Sequence, residues 1–262
     1  MNEILLAFIV VAAVALIAGI LLTLASHFFH VDEDEKVKEL RECLPGVNCG
    51  ACGYTGCDDY AAALAEGNVK TNLCIPGADA VAADIAKVLG VSAEDVVEQV
   101  AVVHCNGTCE ATSKKAIYEG VDSCRAASMI FGGPDACNYG CLGCGDCASV
   151  CPVEAICLMD GIARVDRRIC IGCGLCVKTC PKGIISLVPD VKTVANLCSN
   201  RDKGAVARKV CTNACIACKK CEKSCPTGAI TVVDNLAVID YEKCVDCGAC
   251  VEGCPTHCLH KL

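Results

Sequence analysis

The stretch "CIGCGLCVKTCPKGII", Cys170 through Ile185, decides how the rest of the chain is read. The same phrase returns as "CLGCGDCASVCPVEAI" from Cys141, "CIACKKCEKSCPTGAI" from Cys215 and "CVDCGACVEGCPTHCL" from Cys244. Each copy is C-x2-C-x2-C-x3-C-P followed by apolar residues. Three cysteines spaced by two fold round three corners of an iron–sulfur cubane, and glycines such as Gly172 and Gly174 let the backbone come close. In two-cluster proteins the fourth cysteine, the one before proline, ligates the other cluster, which explains why the units come in pairs. Crossed ligation assigns Cys141, Cys144, Cys147 and Cys180 to one centre and Cys170, Cys173, Cys176 and Cys151 to its partner. In the second pair, Cys215, Cys218, Cys221 and Cys254 take one centre, while Cys244, Cys247, Cys250 and Cys225 take the other. A short helix after each proline is expected to lead into a strand that covers the cluster.

Zinc also uses C-x2-C pairs, but it closes on four ligands that often include histidine. The chain has five histidines, none at the spacing of a zinc partner, so the ligand pattern predicts 4Fe–4S clusters. Of 262 residues, 29 are cysteine. Disulfide frameworks scatter cysteines to staple distant segments, whereas thiols two residues apart converge on one inorganic centre. Ligation also places the cysteine-rich part in a reducing compartment. Aromatic residues make up only 3% of the chain and Trp is absent, so the usual large core formers are scarce. A bound centre can fill that deficit, because its binding energy is also folding energy. The formal net charge of −8 argues against non-specific nucleic-acid binding.

One segment is of another kind. "ILLAFIVVAAVALIAGILLTLA", Ile4 to Ala25, carries no charge, and no charged side chain stands between Glu3 and Asp32. As a helix this run is about 33 Å long, enough to span a bilayer core. A cleaved signal peptide is the alternative, but it needs a basic leading region, and the only charged side chain ahead of the run is Glu3. Lys36, Lys38 and Arg41 follow the span with nothing basic before it, which favours a cytoplasmic C-terminal side.

The expected fold class is α+β: a single N-terminal transmembrane helix, a small helical 4Fe–4S domain and two ferredoxin-like modules of two clusters each. The expected segments are an anchor at 1–30, the helical domain at 31–100 and a cysteine-containing connector at 101–136. Module 1 follows at 137–190, a linker at 191–207 and module 2 at 208–262. Within the helical domain, "VDEDEKVKELRE" reads as a short charged helix leaving the membrane, and Ser92 with Asp95 as a capping box opening a last helix, "SAEDVVEQV". The two modules are a long-period internal repeat.

"LPGVNCGACGYTGCDDYAAALAEGNVKTNLCIPG" holds Cys49, Cys52, Cys57 and Cys74, a C-x2-C-x4-C-x16-C four-thiolate site of a different kind. Together with the N-terminal span, "CNYGCLGCGDC" and the closing "NLAVIDYEKCVDCGACVEGCPT", this box makes the chain resemble the RnfB family, the B subunits of the Rnf complex, a membrane-bound, ion-translocating ferredoxin oxidoreductase. The resemblance covers essentially the whole chain and points to the longer members, with two ferredoxin modules. The helical cluster domain alone is also similar to part of corrinoid iron–sulfur proteins.

Nine cysteines remain: Cys43, Cys105, Cys109, Cys124, Cys137, Cys157, Cys198, Cys211 and Cys258. Cys105, Cys109, Cys124 and Cys137 could make a sixth cluster beside the five, or could stay as ordinary buried thiols. Cys137 precedes Cys141 by four residues, just as Cys211 precedes Cys215, so an alternative register in which Cys137 displaces Cys144 is also open. His104, next to Cys105, is a ligand or a satisfied buried residue. Basic clusters at residues 164–168, Arg201 and Lys219 guide an acidic electron donor or are solvated loops.

The chain carries no dinucleotide fingerprint after a strand, no P-loop and no nucleophile–base pair, so it lacks the parts to convert an organic substrate itself. What the resemblance implies is electron relay within a translocase. Reduced ferredoxin is the donor, integral membrane subunits are the acceptors, and the iron–sulfur domains hang from a single-pass anchor in the cell membrane, facing the cytoplasm. The rival readings are a corrinoid-linked subunit, for which no barrel-sized segment is present, and a binding module whose clusters sense redox state.

Overall fold

A computed structural model of the chain describes residues 2–28, 34–67, 69–92 and 96–262. Helix α1, Asn2–Phe28, is about 40 Å long at the usual rise per residue. From Leu5 to Leu24 its described side chains are exposed, Phe8 and Leu22 by more than two-thirds. By length and composition it can cross a membrane.

A small helical unit follows. Helix α2, Glu35–Cys43, starts on Asp34, whose carboxylate accepts from the Lys36 amide at 3.0 Å. Helices α3, Cys57–Ala65, and α4, Ala78–Leu89, pack against it around Leu40, Leu44, Tyr60, Leu64 and Ile85. The chain leaves α4 through Gly90 at φ +69°, a left-handed stop that glycine takes without strain. Residues 96–98 are not helical, and Gln99–Val103 is a strand, β1, so the helix expected over residues 92–100 does not extend there. Its capping box of Ser92 and Asp95 falls partly outside the described residues. The run "VVEQVAVV" is rich in β-branched residues, and tertiary pairing of its C-terminal half overrides the helical reading.

The remainder is built twice. Helix α5, Cys124–Met129, precedes the first copy. That copy contains α6, Asp146–Ser149, a hairpin of β2, Ile156–Met159, and β3, Ile162–Val165, then α7, Leu175–Thr179, and β4, Ile185–Pro189. The second begins with β5, Val194–Asn196, and α8, Gly204–Val210. It continues through α9, Lys220–Ser224, a hairpin of β6, Ile230–Val233, and β7, Leu236–Ile239, then α10, Ala249–Glu252, and β8, Leu259–Lys261. Both hairpins turn on two left-handed residues, Asp160 with Gly161 and Asp234 with Asn235, whose twist matches the flanking strands. Each cysteine phrase does contain a short helix. It lies ahead of the Cys-Pro step and carries the third cysteine, whereas a turn follows the proline.

Two pairings redraw the expected segment borders. β1 pairs antiparallel with β4, Val103 opposite Ile185, so the border at 100/101 cuts through a strand of the first copy's sheet. β5 pairs with β8, Asn196 opposite Leu259, so the segment 191–207 supplies a strand of the second copy. The faces of β1 divide by strand alternation. Ala101 and Val103 join the core of the first copy, while Val100 and Val102 pack with Val188, Ala195 and Leu197 between the copies.

Candidate metal centres

All 29 cysteines are free thiols. In the helical unit, Asn48 sits at φ +50° and its side-chain oxygen accepts from the Cys57 amide at 2.8 Å, locking the glycine-rich loop onto the start of α3. Burial pushes the Cys74 thiol up to about 11, and Cys57, Cys49 and Cys52 lie close enough to add to the shift. The tightly packed Tyr60 beside them donates to the Lys70 carbonyl at 2.8 Å.

In the repeated part the structure gathers the cysteines as follows. Around Cys176, pushed up to about 11 by burial, stand Cys170, Cys173 and Cys151. Cys141, Cys147 and Cys180 line a cavity of about 340 Å³ of empty space that Cys124 also reaches. Cys144 Sγ donates to the Leu142 carbonyl at 3.7 Å, and burial first, then the neighbouring Cys124, pushes its thiol up to about 12. Around Cys221, likewise raised by burial to about 11, stand Cys215, Cys218 and Cys254. Cys225, Cys244, Cys247 and Cys250 line another cavity, with about 350 Å³ of empty space including its mouth.

The sulfurs are also addressed by backbone N–H groups. Cys170 accepts from Ala101 at 3.4 Å, Cys151 from Ala155 at 3.3 Å, Cys141 from Ala163 at 3.5 Å and Cys244 from Asp246 at 3.4 Å. Amide donors on thiolate sulfur stabilise the charged form and tune a bound cluster. Among the described residues, no three His, Cys, Asp or Glu side chains form a site for a single metal ion. The donor sets described are thiolate only, the set a 4Fe–4S cluster takes at its four irons.

Several leftover residues find their places. Cys105 and Cys137 share one cavity with Cys198 and Cys211, whereas Cys109 bonds through its amide to Asp160 and Cys124 sits by Cys144 and Asp146. The expected quartet of Cys105, Cys109, Cys124 and Cys137 is therefore not gathered in one cavity. The pairing of Cys137 with Cys211 is visible in their common offset from Cys141 and Cys215. Cys198 carries no signal until β5 places it. Cys258 Sγ lies in hydrogen-bond contact with Cys254 Sγ at 3.5 Å, and that contact holds the Cys254 thiol down at about 4. His104 is a structural residue: Nδ1 meets the Asn196 carbonyl at 2.6 Å and Nε2 the Ser186 hydroxyl at 2.7 Å. Arg164, Arg167, Arg168 and Arg201 all bond within the chain, to Asn106, Asp190, Asp166 and Asp234, so much of the basic surface is neutralised locally.

The chain is similar to known iron–sulfur proteins. An Fe-S cluster family matches residues 44–76, and a 4Fe-4S dicluster domain matches residues 140–184 and again 214–258. A second 4Fe-4S dicluster family matches residues 169–230. The B subunit of the Na(+)-translocating ferredoxin:NAD(+) oxidoreductase complex of Acetobacterium woodii is 45% identical over 93% of this chain and 73% of its own length. The chain belongs to the family of B subunits of the ion-translocating oxidoreductase complexes. The B subunit of the proton-translocating ferredoxin:NAD(+) oxidoreductase complex of Clostridium ljungdahlii is 42% identical over 92% of this chain and 85% of its own length. In Methanosarcina acetivorans the family member, named for an ion-translocating oxidoreductase complex, is 38% identical over 89% of both chains. As a member of this family, the chain is an iron–sulfur protein with ferredoxin-like 4Fe–4S domains.

Proposed function

We propose that this subunit relays single electrons from reduced ferredoxin to the membrane-embedded partners of an ion-translocating oxidoreductase. Five clusters are held by Cys49, Cys52, Cys57 and Cys74 and by the four crossed quartets assigned above. A 4Fe–4S centre supplies reversible one-electron chemistry at a potential set by its surroundings. The protein's part is positional: thiolates fix where electrons reside, amide donors to sulfur set how readily they are held, and apolar walls exclude water.

The observation that carries the reading is the file of thiol groups running from the helical unit outward. Lys178, in the first ferredoxin-like copy, donates to the Cys49 carbonyl at 2.7 Å, and Cys49 lies close enough to Cys173 to add to the burial that raises its thiol. The helical unit follows α1 directly in sequence, which makes its centre the exit toward the membrane and the second copy the input end. The anchor is a single span with the iron–sulfur domains on the cytoplasmic side. Cys74→Ser tests the order: ferredoxin oxidation by the isolated chain is retained, while turnover of the whole complex stops. Unchanged turnover would refute it.

A further inference from the structure

Cys105, Cys137, Cys198 and Cys211 line one cavity between the two ferredoxin-like copies, with about 390 Å³ of empty space including its mouth. That is the size class of the cavities lined by Cys141, Cys147 and Cys180 (about 340 Å³) and by Cys225, Cys244, Cys247 and Cys250 (about 350 Å³). Three of the four thiols are buried, Cys105 at 7% exposure, Cys198 at 8% and Cys211 at 7%, and Cys137 is half-buried.

The four come from matched places in the repeat. Cys105 lies two residues beyond β1 and Cys198 two residues beyond β5. Cys137 and Cys211 each stand four residues ahead of the first cysteine of a phrase. The surroundings of the sulfurs repeat as well. Cys105 Sγ accepts from the amide of Gly107 at 3.4 Å and from that of Cys141 at 3.3 Å. Cys198 Sγ accepts from the amide of Asn200 at 3.4 Å and from that of Cys215 at 3.3 Å. The Asn200 side-chain amide also donates to Cys137 Sγ at 3.5 Å. A Cβ on Gly107 would stand 3.5 Å from Cys105 Sγ and 3.6 Å from Cys211 Sγ, so both sulfurs converge on a backbone stripped of its side chain. Paired amides on a buried sulfur, with glycine alongside, are what a cluster thiolate requires and what an inert core thiol does not.

We propose that Cys105, Cys137, Cys198 and Cys211 ligate a sixth 4Fe–4S cluster, which bridges the two ferredoxin-like copies. The site rests on the reading that the other five quartets hold clusters. It completes that reading, because Cys141 and Cys215, ligands on either side, are each one N–H···S bond from a sulfur of this quartet. Without it no thiol quartet lies between the first copy and the second.

The test is iron and acid-labile sulfide per full-length chain, prepared anaerobically in detergent, with native mass spectrometry to count intact clusters. The native chain is expected to carry about 24 irons, and Cys198→Ser and Cys211→Ser about 20, with one reduced-cluster spin lost from the paramagnetic resonance signal. Cys109→Ser and Cys157→Ser, outside the cavity, keep the full count. Should Cys198→Ser or Cys211→Ser fail to fold, Cys137→Ser, at the half-buried position, carries the test. A native count of about 20, a count unmoved by these changes, or zinc in the site overturns the sixth cluster and leaves the five standing. A chain with few or no irons overturns both.

Discussion

Gly172 offers a direct measure of how firmly β1 belongs to the first ferredoxin-like copy. Its φ is +64°, and a Cβ built there falls on the Gln99 carbonyl, inside hard-contact distance, with Ile75 Cγ2 at 3.0 Å. Gly174, two residues on, has a similar φ of +72°, but its added Cβ meets only the flexible tip of Leu187 at 3.6 Å. Against protein neighbours, alanine at Gly174 therefore bears only the left-handed penalty, roughly 1–2 kcal/mol. Alanine at Gly172 bears the same penalty plus overpacking against a strand carbonyl that cannot swing away, about 1–3 kcal/mol more. The gap of about 2 kcal/mol corresponds to roughly a thirtyfold larger open population. Amide hydrogen exchange of the cluster-loaded chain reads that population locally. Gly172→Ala is expected to accelerate exchange across Gln99–Val103 by roughly thirtyfold more than Gly174→Ala does. Equal effects from the two substitutions would show that backbone conformation alone matters, and that the contact between Gly172 and β1 does not shape the fold.

Other consequences are as accessible. Asp246 accepts the amides of Thr193 at 3.0 Å and Val194 at 2.8 Å and the Thr193 hydroxyl at 2.5 Å, so Asp246→Ala strips the start of β5 of its acceptors. A loss of about 1–3 kcal/mol is expected there, seen as faster exchange at Val194–Asn196 with β2 and β3 unaffected. Burial lowers the pKa of His104, so its contribution is fully present above about pH 6.5 and is lost as pH falls through the lower folded value. Acidification should loosen the β1–β5 junction in the native chain, measured by limited proteolysis between the copies, and His104→Gln should flatten that dependence. Lys178→Ala removes the bond to the Cys49 carbonyl; it should raise proteolysis between the helical unit and the first copy while leaving the iron count unchanged. Removing iron with a chelator under reducing conditions should abolish amide protection in both ferredoxin-like copies, because cysteines form a large part of their cores. Protected sheets in the iron-free chain would contradict that dependence.

How much of this is legible before the fold is clearest at particular positions. The four C-x2-C-x2-C-x3-C-P phrases and the box from Cys49 to Cys74 name their sulfurs because cluster ligation is mostly local: three of four donors lie within one loop. The apolar span needs only length and the absence of charge. Residues 100–103 elude a linear reading because a short β-branched run has no periodicity of its own to tell strand from helix. Their partners in β4, Ile185 to Val188, lie more than eighty residues away. The quartet at the junction shows the same division most sharply. Linear order alone makes Cys137 and Cys211 equivalent, since a fixed offset from a repeated motif survives in one dimension. It takes the folded chain to bring Cys105 and Cys198 to them, because two separate strand pairings, β1 with β4 and β5 with β8, must form before sulfurs from both halves can face one another across a shared cavity.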